Sequence, residues 1–359
     1  MRLFGDIYHD RRVLLTGHTG FKGSWLALWL KTLGARVTGI ALDPVSRPSH
    51  WELLQLGIED RRFDIRDQEV LRRAVEAAAP EIVFHLAAQP LVLRSYREPA
   101  ETWSTNVMGT VNLLEACRRL PCVRAIVVVT SDKCYENREW DWSYREIDRL
   151  GGHDPYSASK ACTEVVVASY RDALLTHSGA PLLASARAGN VIGGGDWSDN
   201  RLIPDLVRAA ACGTTVEIRS PNATRPWQHV LEPLSGYLLL GQRLLEGNPG
   251  LAQAWNFGPD EGSNRTVNEI LVRIKSAWPN ISWRTTSDPQ PHEANLLQLD
   301  SSKARRHLGW RPVWALDECL AATVDWYRTH MEVGTALSGR QLDAYVTAAG
   351  RAELSWSAP

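Results

Sequence analysis

An α/β protein built on a doubly wound parallel sheet is what the sequence predicts, and three observations predict it. A short apolar run, Val13 to Leu15, leads directly into three closely spaced glycines and then a helical pattern. Strand-like and helix-like stretches alternate from there through the first half of the chain. The stretch AIVVVTS, Ala125 to Ser131, is a near-continuous β-branched run, as strands covered on both faces carry.

The first element is RRVLLTGHTGFKGSW, Arg11 to Trp25, in which Gly17, Gly20 and Gly23 are spaced Gly-x-x-Gly-x-x-Gly. That is one residue looser at the front than the usual dinucleotide fingerprint. The first glycine permits the tight turn, and the second lets backbone amides approach phosphates. The third lets the helix pack on its strand with its positive N-terminus facing a pyrophosphate. Glycine triplets also mark ordinary turns, so the strand before and the helix after carry the reading.

Ala35 to Leu42 reads as the second strand, with Asp43 at its end, about where an acidic side chain accepts from the adenosine ribose hydroxyls. A carboxylate there repels a 2′-phosphate and favours NAD over NADP, although Arg47 nearby softens that repulsion. Asp-Pro is also a common turn opener. Asp64, in RRFDIRD, ends a third short strand ahead of a helix over Gln68 to Ala78. By position it would accept from the adenine amino group, while Asp67 reads equally as a helix N-cap. EIVFHLAAQP gives a fourth strand, with small Ala87 and Ala88 where the backbone must pass close to a coenzyme. A helix over Asn106 to Arg119 follows.

Chemistry gathers at the tip of the fifth strand, where Ser131, Asp132 and Lys133 are consecutive. Further on, DPYSASKACTEVVV sets Tyr156 and Lys160 one helical turn apart, on a shared face. A tyrosine titrates near ~10 in water, and an adjacent cation together with a bound nicotinamide is expected to lower it toward neutrality. Ser131 would hold the same substrate oxygen. The set suits removal of a proton from an alcohol while its carbon gives hydride to NAD. Tyr and Lys at this spacing also occur by chance, so the glycine turn, Asp43 and the strand-end serine give the pair its weight.

PLLASARAGNVIG reads as a sixth strand running into a loop at Asn190, a residue type that also tolerates left-handed turns. Arg201 precedes the helix IPDLVRAAA. Arg225, in TRPWQHV, offers a planar fork that matches phosphate oxygens, against the alternative of a solvated surface arginine. WNFGP reads as a strand and turn, Gly262 to Trp278 holds an amphipathic helix, and LDECLAATVDWYRTH is another helix. From Ser338 the tail is polar and rich in small residues, and is expected to fray.

Composition narrows the partners. With 40 Lys+Arg against 41 Asp+Glu, the formal net charge is −1, so there is no electrostatic case for nucleic acid. The six cysteines show no C-x-x-C spacing that would suggest a metal and read as reduced thiols. MRLFGDIYHDRR is too charged for a signal peptide, and no apolar run reaches transmembrane length, so a cytoplasmic protein without a membrane partner is expected. The 15 tryptophans serve cores and sugar-binding clefts alike and do not decide between them.

Taken together, TGHTGFKG, the Asp43 and Asp64 positions, HLAAQ, the serine before Asp132 and YSASK resemble the extended short-chain dehydrogenases/reductases over nearly the whole chain. Within that family, TSDKCY, the Trp-rich segment after it, RAGNVIGGGDW and RPWQHVLEP resemble the CDP-sugar branch of the nucleotide-sugar 4,6-dehydratases. In the dTDP- and GDP-sugar branches a Glu follows the strand-end Asp; this chain has Lys133, a departure that the CDP-sugar branch shares. The resemblance implies a Rossmann domain for NAD over residues 1–186, with a return segment of about 226–258. It implies a smaller mixed α/β lobe for a nucleotide sugar, a CDP-hexose, over 187–225 and 259–345, a tail over 346–359, and a homodimer or higher homo-oligomer. Gly17, Thr19, Gly20, Phe21, Lys22, Gly23, Asp43, Asp64, Ile65, Leu86, Ala87, Ala88, Tyr156 and Lys160 fall to the coenzyme, and Gln89, Asn190, Arg201 and Arg225 to the substrate.

The chemistry implied follows from these roles. Tyr156, as phenolate, takes the sugar O4 proton while C4 gives up hydride, and the resulting ketone acidifies C5–H. Asp132, kept protonated by burial, donates to the departing C6 hydroxyl. Lys133, kept neutral by burial and by Lys160, is the candidate base at C5, and hydride returns to C6. Three readings compete with this one. A 4-epimerase needs the same Tyr, Lys and NAD but no acid/base pair; a dehydratase of another nucleotide sugar and a non-catalytic NAD-binding scaffold complete the set. Asp132 with Lys133 also reads as a surface ion pair. His292 is expected as a cleft wall or a hydrogen-bonded loop residue rather than a catalyst.

Overall fold

Short, mostly apolar and buried runs pair into a sheet covered on both faces, with one charged, mostly exposed strand, Glu59–Arg62, at its edge. In the computed structural model, which describes residues 1–286 and 296–358, these are β1 (Arg12–Thr16), β2 (Arg36–Ala41), β3 (Glu59–Arg62), β4 (Ile82–His85), β5 (Ala125–Val129) and β6 (Leu182–Ala188). His292 lies outside the described residues. Further on come β7 (Val191–Ile192), β8 (Val216–Ile218), β9 (Thr224–Pro226), β10 (Gln228–His229), β11 (Ala254–Phe257), β12 (Asn264–Thr266) and β13 (Trp283–Thr285). Seven strands form the main sheet in the order β11-β6-β5-β4-β1-β2-β3, every neighbouring pair parallel. This is the doubly wound sheet that the alternation predicts. Its connections change direction between β1 and β4, which opens a crevice at their carboxyl ends.

Alternation along each strand divides the core in two. Leu14, Val83, Ile126 and Leu183 pack with residues of α3 (Gln68–Ala78), α6 (Gly109–Cys117) and α7 (Pro155–Ser169). Leu15, Phe84, Val127 and Ala184 face the other way, toward α1 (Phe21–Thr32) and α9 (Leu231–Leu245). The third strand is shorter than expected: β3 ends at Arg62, so Asp64 sits in the loop beyond it. The helix expected over Asn106 to Arg119 begins earlier, at α5 (Pro99–Trp103), and reaches α6 through a π-helical turn over Ser104–Met108. Pro99 at its first turn sets that start, as a proline there loses no helical hydrogen bond.

Beyond β6 the small strands pair β7 with β10, β9 with β12 and β8 with β13, beside α8 (Leu202–Cys212) and α10 (Val267–Ala277). α10 starts five residues later than Gly262, because Thr266 and Glu269 form a reciprocal capping box there. The chain finishes with α11 (Ser302–Leu308), α12 (Leu316–Val333) and α13 (Ser338–Arg351), and two short helices earlier in the chain, α2 (His50–Leu54) and α4 (Val92–Arg97), complete the order. The tail does not fray. Leu342, Tyr345 and Ala349 of α13 are buried, and Trp356 beyond it stacks on Phe4 and Tyr345. Its apolar residues are few, but aromatic partners from the other end of the chain hold them.

Candidate active site

A cleft of about 840 Å³ runs from the β1–β4 crevice to the small strands, and every coenzyme, substrate and catalytic candidate of the sequence lines it. At the coenzyme end, Gly17 turns the chain with φ +77°. A Cβ there would stand 2.7 Å from the Ala87 amide nitrogen and 2.8 Å from the Leu86 carbonyl carbon, so only glycine lets the turn close against β4. Ala87 is fixed in turn by its amide, which donates to Thr16 Oγ1 at 3.1 Å. α1 begins at Phe21 behind Gly20, which has no side chain to cap it. The first-turn amides of Phe21, Lys22 and Gly23 therefore point into the cleft end with no intrahelical partner, the donor set a pyrophosphate needs. The residues present thus fit NAD.

At the adenosine end, Thr19 donates to the Leu42 carbonyl at 3.0 Å, and the Asp43 side chain is 90% exposed, with Arg62 Nη1 3.9 Å from its carboxylate. Arg62, rather than Arg47, is the cation beside it. Asp64 lines the cleft, its carboxylate braced by Arg66, from whose amide it accepts at 2.8 Å and from whose guanidinium at 2.9 and 2.6 Å. Ile65 is buried against Gly109 and forms the floor of this end.

The catalytic candidates meet at the tip of β5. A single helical turn over Asp132–Cys134 follows Ser131, which caps it by accepting from the Lys133 amide at 3.2 Å. The Ser131 hydroxyl donates to Asp132 Oδ1 at 2.9 Å. Asp154 caps α7 by accepting from the Ser157 amide at 2.9 Å, which starts the helix so that Tyr156 and Lys160 look back onto this turn. Ser131, Asp132, Tyr156 and Lys160 are all buried; Lys133 is half-buried, and its side-chain nitrogen makes no ion pair among the described residues.

Burial dominates the electrostatics of the site. Burial pushes the Tyr156 phenol up to about 12; the Ser131 hydrogen bond and the Arg201 charge oppose the rise, while Asp132 and Asp154 add to it. The chain's own groups therefore do not bring the phenol toward neutrality. Burial lowers Lys160 to about 8, with Glu164 and Cys134 resisting the fall, and its Nζ is 3.5 Å from the Val129 carbonyl. Lys22 is a third cation at the same spot. Burial lowers it to about 8, Arg201 and Lys160 add to the fall, and Asp132 opposes it.

Just past β6, Asn190 lines the cleft, and Arg201 is held by Asp196 Oδ2 at 3.0 Å. Asp196 is fixed in turn by Tyr327, whose hydroxyl donates to its carbonyl at 2.6 Å. Arg225 Nη1 donates to the Thr224 carbonyl at 2.9 Å on the cleft wall. Gln89 is different. Its side-chain amide donates to the Leu91 carbonyl and to Thr102 of α5 and accepts from the Leu91 amide, which fixes it in the cleft lining. Sequence reasoning missed Asp196, Arg62 and Arg66, and also Glu164 and Arg187 beneath the turn. Only Glu164 left a signal, lying on the helix face of Tyr156 and Lys160.

Residues 14–323 match the family described as GDP-mannose 4,6 dehydratase. The chain is 47% identical over 355 residues to CDP-glucose 4,6-dehydratase of Salmonella typhimurium, covering 96% of this chain and 99% of that one. Among solved structures it is similar to an epimerase from Methanothermobacter thermautotrophicus, with a TM-score of 0.81 and 26% identity over 92% of this chain and 96% of that one. It is also similar to the Thermus thermophilus UDP-glucose 4-epimerase in complex with NAD, with a TM-score of 0.75 and 26% identity over 88% and 98%.

Proposed function

The chain belongs to the GDP-mannose 4,6 dehydratase family, and on that footing we propose that it converts CDP-glucose to CDP-4-keto-6-deoxyglucose with NAD. The observation that carries the reaction type is Asp132, a buried carboxyl in the cleft beside Tyr156 and Lys133, an acid for which 4-epimerisation has no use. Bound NAD supplies a hydride acceptor at C4 that later returns the hydride to C6. Tyr156 takes the O4 proton, with Ser131 hydrogen-bonding the same oxygen and Lys160 stabilising the phenolate. Lys133 takes the proton from C5, made acidic by the 4-ketone, Asp132 gives its proton to the departing C6 hydroxyl, and Lys133 returns the proton to C5 when hydride reaches C6. Arg201 and Arg225 hold the diphosphate, with Asn190 beside them. The first-turn amides of α1 hold the pyrophosphate of the coenzyme, and the Asp43 carboxylate takes the ribose hydroxyls.

A 4-epimerase is the second reading, favoured by the likeness to solved epimerases. Incubation with CDP-, dTDP-, UDP- and GDP-glucose and mass spectrometry separates the two. Loss of water from CDP-glucose is expected; a product of unchanged mass that is epimeric at C4 would establish the other reading. Turnover of dTDP-glucose but not CDP-glucose would move the chain to another branch with the reaction type intact.

We propose further that the enzyme works as a homodimer or higher homo-oligomer. Trp103, Met108 and Val165 are exposed on helices that pack together, an apolar face that a second copy would cover. Met108→Glu should lower the mass seen by light scattering to that of one chain; an unchanged mass would place the contact elsewhere. Its six cysteines are all unpaired, and no helix among the described residues is long and apolar enough to cross a membrane, which suits the reducing cytoplasm.

A further inference from the structure

Beneath the catalytic turn lies a buried ion pair that the chemistry above does not use. Glu164 follows Lys160 by one turn on α7, so Tyr156, Lys160 and Glu164 share one face of the helix. The Glu164 carboxylate accepts from Thr130 Oγ1 at 2.5 Å, from Ser185 Oγ at 2.7 Å and from Arg187 Nη2 at 2.7 Å. Arg187 donates through Nη1 to the Tyr135 hydroxyl at 2.8 Å and to the Glu146 carbonyl at 3.2 Å. Thr130 immediately precedes Ser131, and Tyr135 immediately follows Cys134. Both ends of the catalytic turn are therefore tied to the same two charges, whose side chains are 4% and 3% exposed. An ion pair at this depth costs about as much in desolvation as its attraction returns, so an apolar pair of equal volume would serve the fold as well.

We propose that Glu164 is a positioning residue for the dehydration: its carboxylate keeps the Lys160 ammonium charged behind Tyr156 and, through Thr130, fixes the Ser131–Lys133 turn. The role rests on the Tyr/Lys-dependent reading given above. Lys160 faces Glu164 on its own helix, Lys22 on α1, His85 on β4 and Cys134 in the turn, with Arg187 of β6 behind Glu164. His85, buried and held neutral down to about pH 3, contributes no charge. Burial alone would raise Glu164, but Arg187 and the hydrogen bonds from Arg187, Thr130 and Ser185 outweigh it and keep the carboxylate ionised. Glu164 is thus the carboxylate that stands against burial in keeping Lys160 protonated. Without it the neutral amine takes over at lower pH, and the phenolate loses its counter-ion.

The test is the pH profile of kcat/KM for CDP-glucose with the NAD-loaded enzyme. Glu164→Gln keeps the shape and removes the charge; Glu164→Asp keeps the charge and shortens the reach. The alkaline limb should move down by about one pH unit or more in Glu164→Gln and stay in place in Glu164→Asp. A limb unmoved in Glu164→Gln, or moved equally in both, would overturn the proposal. If Glu164→Gln does not fold, Glu164→Gln/Arg187→Met carries the test, with a smaller downward move expected and none overturning the role. The wild type is assayed in the same series. Its failure to dehydrate CDP-glucose would sink the functional reading itself, whereas an active wild type with an unmoved Gln limb would sink only Glu164.

Discussion

Asp132 has its two oxygens placed differently: Oδ1 accepts from Ser131, while Oδ2 lies against Gly189, where a Cβ would come within 3.0 Å of it and of Pro226 Cγ. Gly189→Ala should therefore displace the acid and slow water loss more than C4 oxidation. Equal slowing of the two steps in stopped-flow would contradict that placement. Asp132→Asn should leave C4 oxidation in place and cut elimination by about 10²–10⁴-fold, seen as reduced nicotinamide that accumulates without loss of water by mass spectrometry. Tyr156→Phe should lose the oxidation itself, so undiminished formation of reduced nicotinamide in that variant would remove its role as base. At this scale the sequence was readable wherever a function depends on local spacing, as with Tyr156 and Lys160. It was unreadable where a side chain is braced by a partner that no spacing rule announces, as Arg66 braces the Asp64 carboxylate at the cleft wall.

Among the elements, the parallel strands and the glycine turn were legible because burial on both faces and phosphate binding each leave a local pattern. The last helix was not. Leu342, Tyr345 and Ala349 make only a thin apolar stripe in a polar tail, and Tyr345 packs on Trp29 and Trp314 from distant parts of the chain, with Phe4 against Trp29 and Trp356. The Ser338 hydroxyl adds a second attachment, 2.7 Å from His50 Nε2 and accepting from Trp326 Nε1 at 2.9 Å. His50 Nδ1 is in turn 2.7 Å from Ser24 Oγ on α1, so the C-terminal helix braces the helix that opens the coenzyme site. Trp356, 1% exposed, stacks on this cluster, and Trp356→Ala should cost about 3–5 kcal/mol. Urea unfolding would check this; a loss under about 1 kcal/mol would mean that the tail only rests on the surface.

For the whole molecule, the tryptophans left undecided by composition prove largely structural: Trp25, Trp29, Trp255, Trp310, Trp326 and Trp356 are among the largest fully buried side chains. Burial also sets the response to acid. His50, His85 and His229 are each lowered to about 3, so the folded state keeps them neutral while the unfolded chain binds protons below its ordinary value of ~6.5. Stability from these three is present above that value and is lost as pH falls toward 3. Glu232, raised by burial to about 7, acts in the opposite sense and favours the fold as pH falls from 7 to its ordinary value. Three histidines against one glutamate leave a net loss near pH 5, with a slope of about 1.4 kcal/mol per pH unit for each uncompensated group. Melting temperature should therefore drop between pH 6.5 and 4.5, and a flat profile there would mean that these histidines find charge partners. The chemical claim has a more direct test. With CDP-glucose deuterated at C4 and unlabelled NAD, the predicted product carries the deuterium at C6 of the 4-keto-6-deoxy sugar. Deuterium retained at C4 of an epimer, or missing from a dehydrated product, would contradict a hydride lent from C4 and returned at C6.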